Sequence, residues 1–446
     1  MASTYLTKTF SSSPTNAKKG TVSLWFKLAE AVSGNTYHRI FATGADSSNR
    51  TDINIDASNG RLAFTAGGTN TTETNRLLRD QSAFYHLVIS YDTTQATASD
   101  RVKFYINGVQ ETSFLTEAYP SQNADLDFGN NSYAHHIGNS PHFTPRFFHG
   151  IMSHFHYIDG TAYDADTFGE TDATTGIWKP KFGPSVTYGT NGFFLKFENS
   201  GAFGTDSSGN GNNFTVNGTM TQTIDTPSNV FATLNPLVGL GSLTLSNGNL
   251  TCGNTTTAWD TISSTIGASS GKWYSEYKWD STSGGFIMNG IISIDTTIDN
   301  INSDFYIGQF STGYGYYSDN GSSYNNGSAS AYGNSYTVGD IIGIAMDLDN
   351  SKLYFSKNGT WQNSGDPTSG ATGTGAISIT SGLTYAFGAS NRNSAVQSIN
   401  YGNGYFGTTA VSSAENPDDG IGIFEYDVPT GYRALCTKSI NAEEYD

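Results

Sequence analysis

Strict alternation of apolar and polar residues, cut by Asn-Gly pairs, constrains this chain more than any other feature. "SKLYFSKNGTW" (Ser351–Trp361) alternates and then reverses; "RVKFYINGVQ" (Arg101–Gln110) says nearly the same thing in the first half of the chain. Successive strand side chains point to opposite faces, so such a run buries one face only inside a sheet packed on another layer. Val22, Leu24, Phe26 and Leu28 form one such face. Leu87, Ile89 and Tyr91, then Val102, Phe104 and Ile106, then Ile342, Ile344, Met346 and Leu348 form others. Asn and Gly tolerate the positive φ of the type I′ turn, which joins twisted strands in register. Asn59-Gly60, Asn107-Gly108, Asn289-Gly290, Asn320-Gly321, Asn326-Gly327 and Asn358-Gly359 are therefore read as hairpin turns. The predicted class is all-β, with packed antiparallel sheets.

With 446 residues the chain can form two to four domains of ordinary size. Glycine is abundant (51 residues), yet aromatics reach 13%, which disordered chains do not. Only 14% of residues are charged and the net charge is −17, which excludes the clustered cations of a nucleic-acid binder. Cys252 and Cys436 form neither a disulfide framework nor a zinc set. No basic-then-apolar leader or long apolar run is present, so the expectation is synthesis in a cytosol without membrane insertion. Turn-rich, weakly patterned segments divide the chain into a first sandwich (1–200), a linker (201–240), a second sandwich (241–405) and a short C-terminal tail (406–446).

The first block resembles the laminin-G-like, concanavalin A-like jelly roll, through "GTVSLWFKL", "YHLVISYD", "VKFYINGVQ" and "HHIGNSPHFTPRFFHGIMSHFHYIDGTA" in that order. The second resembles the SPRY domain, through "SGKWYSEYKW", "YTVGDIIGIAMDLDNSKLYFSKNGTW" and "LTYAFGAS". The pairing, with its "VPTGYRALCTK" end, is similar to structural proteins of marine tailed bacteriophages. That resemblance implies a non-enzymatic virion protein: a capsid decoration, tail or fibre component, made in the host cytoplasm. Its implied partners are other virion subunits, further copies of itself, and a host glycan or surface protein. Its N-terminal segment or its tail would fix it to the particle.

Rival readings are an enzyme of the concanavalin A-like fold and a cellular SPRY adaptor. A glycoside hydrolase needs two carboxylates flanking the sugar bond. Glu276 and Asp280 share a strand face, but the SPRY signature puts that strand at a core edge; Glu425 and Asp427 fall in the tail. RING-type Cys/His spacing, which an adaptor of the ubiquitin pathway would carry, is absent. His154 and His156 share a face with no third ligand in sequence, which favours packing over metal. The laminin-G-like resemblance implies calcium as the candidate cofactor. Asp206 and Asn210, with Asn212, are its candidate ligands in "TDSSGNGNN", where one aspartate falls short of a tight site and an Asx turn is the competing reading. The candidate ligand-binding residues are aromatic: Tyr306, Phe310, Tyr314, Tyr317, Tyr324 and Tyr332. In "GYGYYS", Tyr314 and Tyr316 should share a face and Tyr317 take the other; Tyr316 is assigned to the core, and Trp361 to packing.

Overall fold

The computed structural model describes residues 4–29, 37–56, 58–143, 146–238, 242–296 and 304–445. Strands hold 44% of the chain against 5% helix, which makes it all-β. It forms two compact units, Met1–Gln222 and Thr223–Asp446.

Among the described residues, the first unit packs an eight-stranded sheet on a six-stranded one. At the centre of the six-stranded sheet lie Gly150–Asp159, Lys19–Leu28, Tyr85–Asp92 and Val102–Ile106, all antiparallel. Their inward residues Val22, Leu24, Ile89 and Phe104 meet Ile53 and Phe64 of the opposing sheet. The alternation read from sequence is thus the core.

The expected linker is not one. Thr215–Asn217 is a strand of the first unit, antiparallel to Tyr5–Lys8, and Phe214 is buried in that unit's core. Ala232 and Leu234 belong to the core of the second. Asx and glycine chemistry made this stretch look like a spacer. The same groups hydrogen-bond it into folded structure, because a short polar side chain can satisfy backbone groups that a strand ladder would otherwise take. The last two positions of the expected linker, and the first three residues of the N-terminal segment, lie outside the described residues.

The second unit packs a nine-stranded sheet on a six-stranded one, again among the described residues. Lys272–Ser281 was expected at a core edge but runs between Val396–Asn400 and Ile341–Asp347 in the sheet interior. The expected tail is also built in. Arg433–Ala434 pairs in parallel with Trp273–Tyr274, and Phe424, Val428, Tyr432 and Cys436 bury against Tyr274, Ala345 and Tyr354. It covers the outer face of the nine-stranded sheet. Its aromatic residues are spaced too irregularly to show a period, because they fill a surface as a meandering loop rather than as a strand.

The twin phrases are equivalent hairpins in detail. Asn107 and Asn358 have φ of 50° and 49°, Gly108 and Gly359 of 81° and 77°. Each asparagine accepts, through its side-chain oxygen, an N–H from the first two residues of the preceding strand: His86 at 2.8 Å and Ile341 at 2.9 Å. A Cβ on Gly108 would stand 2.8 Å from the Trp178 ring, and one on Gly359 2.7 Å from the Tyr426 ring. Asn289-Gly290, by contrast, is not a turn but lies inside the strand Phe286–Ser293.

Candidate binding face of the second sandwich

A row of glycines builds this face. Gly388, Gly290 and Gly315 sit side by side on three neighbouring strands, Tyr385–Arg392, Phe286–Ser293 and Gly313–Tyr317. Glycine inside a strand gives up side-chain packing and lets another backbone approach closely. Here the segment that carries Ile307 makes that approach. A Cβ on Gly315 would lie 2.5 Å from the Ile307 carbonyl oxygen, and one on Gly388 2.7 Å from its Cδ1. Ile307 is fully buried; its N–H donates to Ser390 Oγ at 3.0 Å, and the Thr261 hydroxyl donates to the Phe305 carbonyl at 2.6 Å. Thus pinned, the segment carries Tyr306 onto the outer face of the six-stranded sheet.

There Tyr306 closes a ring of four aromatic side chains. Trp259 meets Tyr306 at 6.0 Å between centroids, Tyr306 meets Tyr324 at 5.9 Å, Tyr324 meets Tyr317 at 5.7 Å, and Tyr317 returns to Trp259 at 5.8 Å. Three of these contacts are edge-on, the arrangement the ring quadrupole favours. Phe286 adds an edge contact to Tyr317 at 5.7 Å, and the Arg392 guanidinium lies 6.0 Å from the Trp259 ring. Trp259 is buried, while Tyr306, Tyr317 and Tyr324 are half-buried.

Hydroxyl partners separate platform from core. Tyr314 pairs with Thr380 at 3.1 Å, and the Tyr332 hydroxyl accepts the Phe355 N–H at 3.1 Å. Tyr336 donates to the Tyr316 carbonyl at 2.7 Å. The hydroxyls of Tyr306, Tyr317 and Tyr324 have no hydrogen-bond partner among the described residues. Burial, then Tyr324 and Asp304, raises the Tyr306 phenol. Burial, then Asp319 and Tyr324, pushes Tyr317 up to about 12. Both are neutral near pH 7, so the face offers flat apolar rings edged by uncharged donors and acceptors.

Of the six aromatics predicted from sequence, Tyr306, Tyr317 and Tyr324 come together. Phe310 is 47% exposed and stacks on Phe305 at 5.3 Å, beside the ring of four. Tyr314 and Tyr332 are corrected to core residues: each is buried with its hydroxyl satisfied, since both point into the sandwich. Tyr316 is buried on the same side as Tyr314, and Tyr317 lies opposite, as the alternation requires. Trp259, Phe286 and Arg392 escaped the sequence reading. The three glycines inside apolar runs were the available signal.

The other candidates resolve into packing. The Asp206 carboxylate accepts from Phe194 N–H at 2.9 Å, Ser208 N–H and Oγ–H at 2.8 Å each, and Asn212 N–H at 2.8 Å. Asn210 turns its amide nitrogen toward the Gly189 and Gly192 carbonyls at 2.7 and 2.9 Å, and Asn212 does the same toward Thr190 and Gly192. Four donors saturate the only carboxylate and N–H groups occupy the carbonyls, so this set does not fit calcium, which needs six to eight free oxygens. His156 stacks on Phe194 at 3.9 Å and bonds the Tyr188 hydroxyl at 2.8 Å. No group of three His, Cys, Asp or Glu able to hold a metal occurs among the described residues. Trp361 packs edge-on to Tyr274 and Tyr354. Glu276 is buried under the C-terminal segment, where its carboxylate accepts the Glu425 and Tyr426 N–H groups, and half-buried Asp280 accepts from Ser398 Oγ.

Residues 2–166 match the family model of the concanavalin A-like lectin/glucanases superfamily, and residues 272–402 match that of the SPRY domain. The search of curated proteins gave no match. Among solved structures, the SPRY domain of human HERC1 is similar at 15% identity over 37% of this chain and 96% of that one, with a TM-score of 0.29. The TRIM65 PSpry domain is similar at 13% identity over 38% and 88%, TM-score 0.31, and stonustoxin at 17% over 36% and 26%, TM-score 0.27. The chain carries a concanavalin A-like domain and a SPRY domain in tandem, which makes it a β-sandwich protein of the binding or adhesion type. SPRY domains are protein-interaction domains.

Proposed function

We propose that this is a non-enzymatic structural or adhesion protein of a tailed phage virion, which contacts a host-surface glycan or protein through the Trp259–Tyr306–Tyr317–Tyr324 platform. One observation carries the contact surface: three adjacent tyrosines keep their hydroxyls free while every core tyrosine named above spends its own. Rigid aromatic rings supply stacking area at small entropic cost, and free hydroxyls supply direction. The glycine row fixes the rings in advance, which lowers the ordering cost of binding. The resemblance of the domain pairing and C-terminal phrase supports the phage assignment. The C-terminal segment is engaged in its own unit, so it attaches the protein to a particle only through its outer surface.

Two experiments test this. Replacing Tyr306, Tyr317 and Tyr324 together by phenylalanine keeps the rings and removes the hydroxyls. Binding to host cells or a glycan array should weaken by about tenfold or more, as for a hot-spot cluster, with an unchanged melting midpoint. Undiminished binding removes the platform from the mechanism. The particle assignment is tested by sedimentation: the chain should travel with purified virions, and a free monomer in uninfected cells would refute it.

A further inference from the structure

Among the described residues, the first unit clusters three cations around one acid. Arg39 and Arg50 both ion-pair with Asp52, one on each carboxylate oxygen, and Asn54 Nδ2 donates to Asp52 Oδ1 at 2.8 Å. Arg39 and Asp52 are buried, with side chains 2% and 0% exposed. A third guanidinium, Arg146, stacks over Phe143 at 4.2 Å and over Tyr37 at 4.7 Å. Arg39 and Arg50 lie over the same Phe143 ring at 5.2 and 5.0 Å. Arg146 has no acidic partner among the described residues, and Asp52 already accepts from three donors, Arg39, Arg50 and Asn54. Arg39 Nε is buried without a partner. Burial first, then Arg146 and Arg50, depress the Arg39 guanidinium from its usual range against the pull of Asp52.

Among the described residues, three guanidiniums around one carboxylate leave an excess of two positive charges, in a chain whose net charge is −17. The buried Arg39 has Asp52 as its counter-charge, whereas Arg146 is half-buried and faces no acid among the described residues. Arg146 lies over two aromatic rings and donates to no acid among the described residues, and a guanidinium fork matches two oxygens of one anionic group. We propose that the first unit binds a ligand through a single oxyanion group, carboxylate, sulfate or phosphate, seated on Arg146 and Arg50 with Arg39 behind them. The anion supplies the second negative charge that the cluster lacks.

Calorimetric titration of the full chain at constant ionic strength tests this, with sodium sulfate, sodium phosphate and sodium glucuronate as probes and glucose as the uncharged control. At least one anion should bind saturably at one site, and Arg146→Ala should weaken it about tenfold or more. Preference for glucuronate makes the source an acidic sugar; preference for sulfate or phosphate makes it the free ion. Arg146→Lys keeps the charge, loses the fork, and should fall between. Arg146→Glu supplies the missing negative charge within the chain. It should abolish anion binding while holding or raising the melting midpoint of the first unit. A lower midpoint in Arg146→Glu, equal binding to Arg146→Ala, or a non-saturable response that marks an adventitious ion only, overturns the proposal.

Discussion

Replacing Glu276 by glutamine probes how the second unit holds its C-terminal segment. The carboxylate sits in the sheet interior and accepts four hydrogen bonds: backbone N–H of Glu425 at 2.8 Å and of Tyr426 at 2.9 Å, the Tyr274 hydroxyl at 3.2 Å, and Asn400 Nδ2 at 3.3 Å. Burial raises its pKa to about 7, and the four donors only partly offset that. A raised carboxyl pKa has a definite sign. Its stabilising contribution is full below the unfolded value of 4.5 and is lost as pH rises through 7. The shift corresponds to about 3 kcal/mol between the two limits. Glutamine cannot ionise. It offers one oxygen to the two backbone N–H groups and leaves one of them unpaired, at a cost of about 1–3 kcal/mol. At pH 4 the neutral glutamic acid faces the same conflict, so the two proteins should be close in stability. From pH 4 to 8.5 the variant should then gain about 3 kcal/mol on the wild type. Urea titrations at each pH, followed by tryptophan fluorescence, measure this. Trp259, Trp273, Trp279 and Trp361 all lie in the second unit, and only the difference between the two proteins is read. A stability gap that does not change with pH, or one that moves against glutamine as pH rises, refutes the reasoning and means that the four donors outweigh burial.

Three further substitutions probe the fold. Gly359→Ala forces alanine to φ of 77° and drives its Cβ into the Tyr426 ring, so the second unit should lose about 1–2 kcal/mol or more in urea titration. Gly108→Ala should do the same to the first unit through Trp178, and neutrality at both sites would show that the turns relax freely. Asp206→Ala strands donors on Phe194, Ser208 and Asn212 and should cost the first unit about 1–3 kcal/mol by calorimetry. Adding calcium or a chelator to the wild type should leave its melting midpoint unmoved, and a rise with calcium would restore the metal reading.

The sequence by itself determined the class of fold, the two sandwiches and the face each alternating strand buries, because period 2 and Asn-Gly turns are local properties of the backbone. It placed Tyr316 and Tyr317 on opposite faces, and it marked the twin hairpins down to the residue. It could not show which turn-rich stretches were folded. Whether Asp206 or Phe424 is loop or structure depends on partners far along the chain. Nor could it separate Tyr314 and Tyr332, which fill the core, from Tyr306 and Tyr324, which do not, since all four are tyrosines in one polar loop region. The tertiary structure decided that by register. Gly388, Gly290 and Gly315 align across three strands, and the segment that carries Ile307 lies close against Gly388 and Gly315, which brings Tyr306 to Trp259, Tyr317 and Tyr324. Register between distant strands is set by packing and loop closure, and no local pattern encodes it.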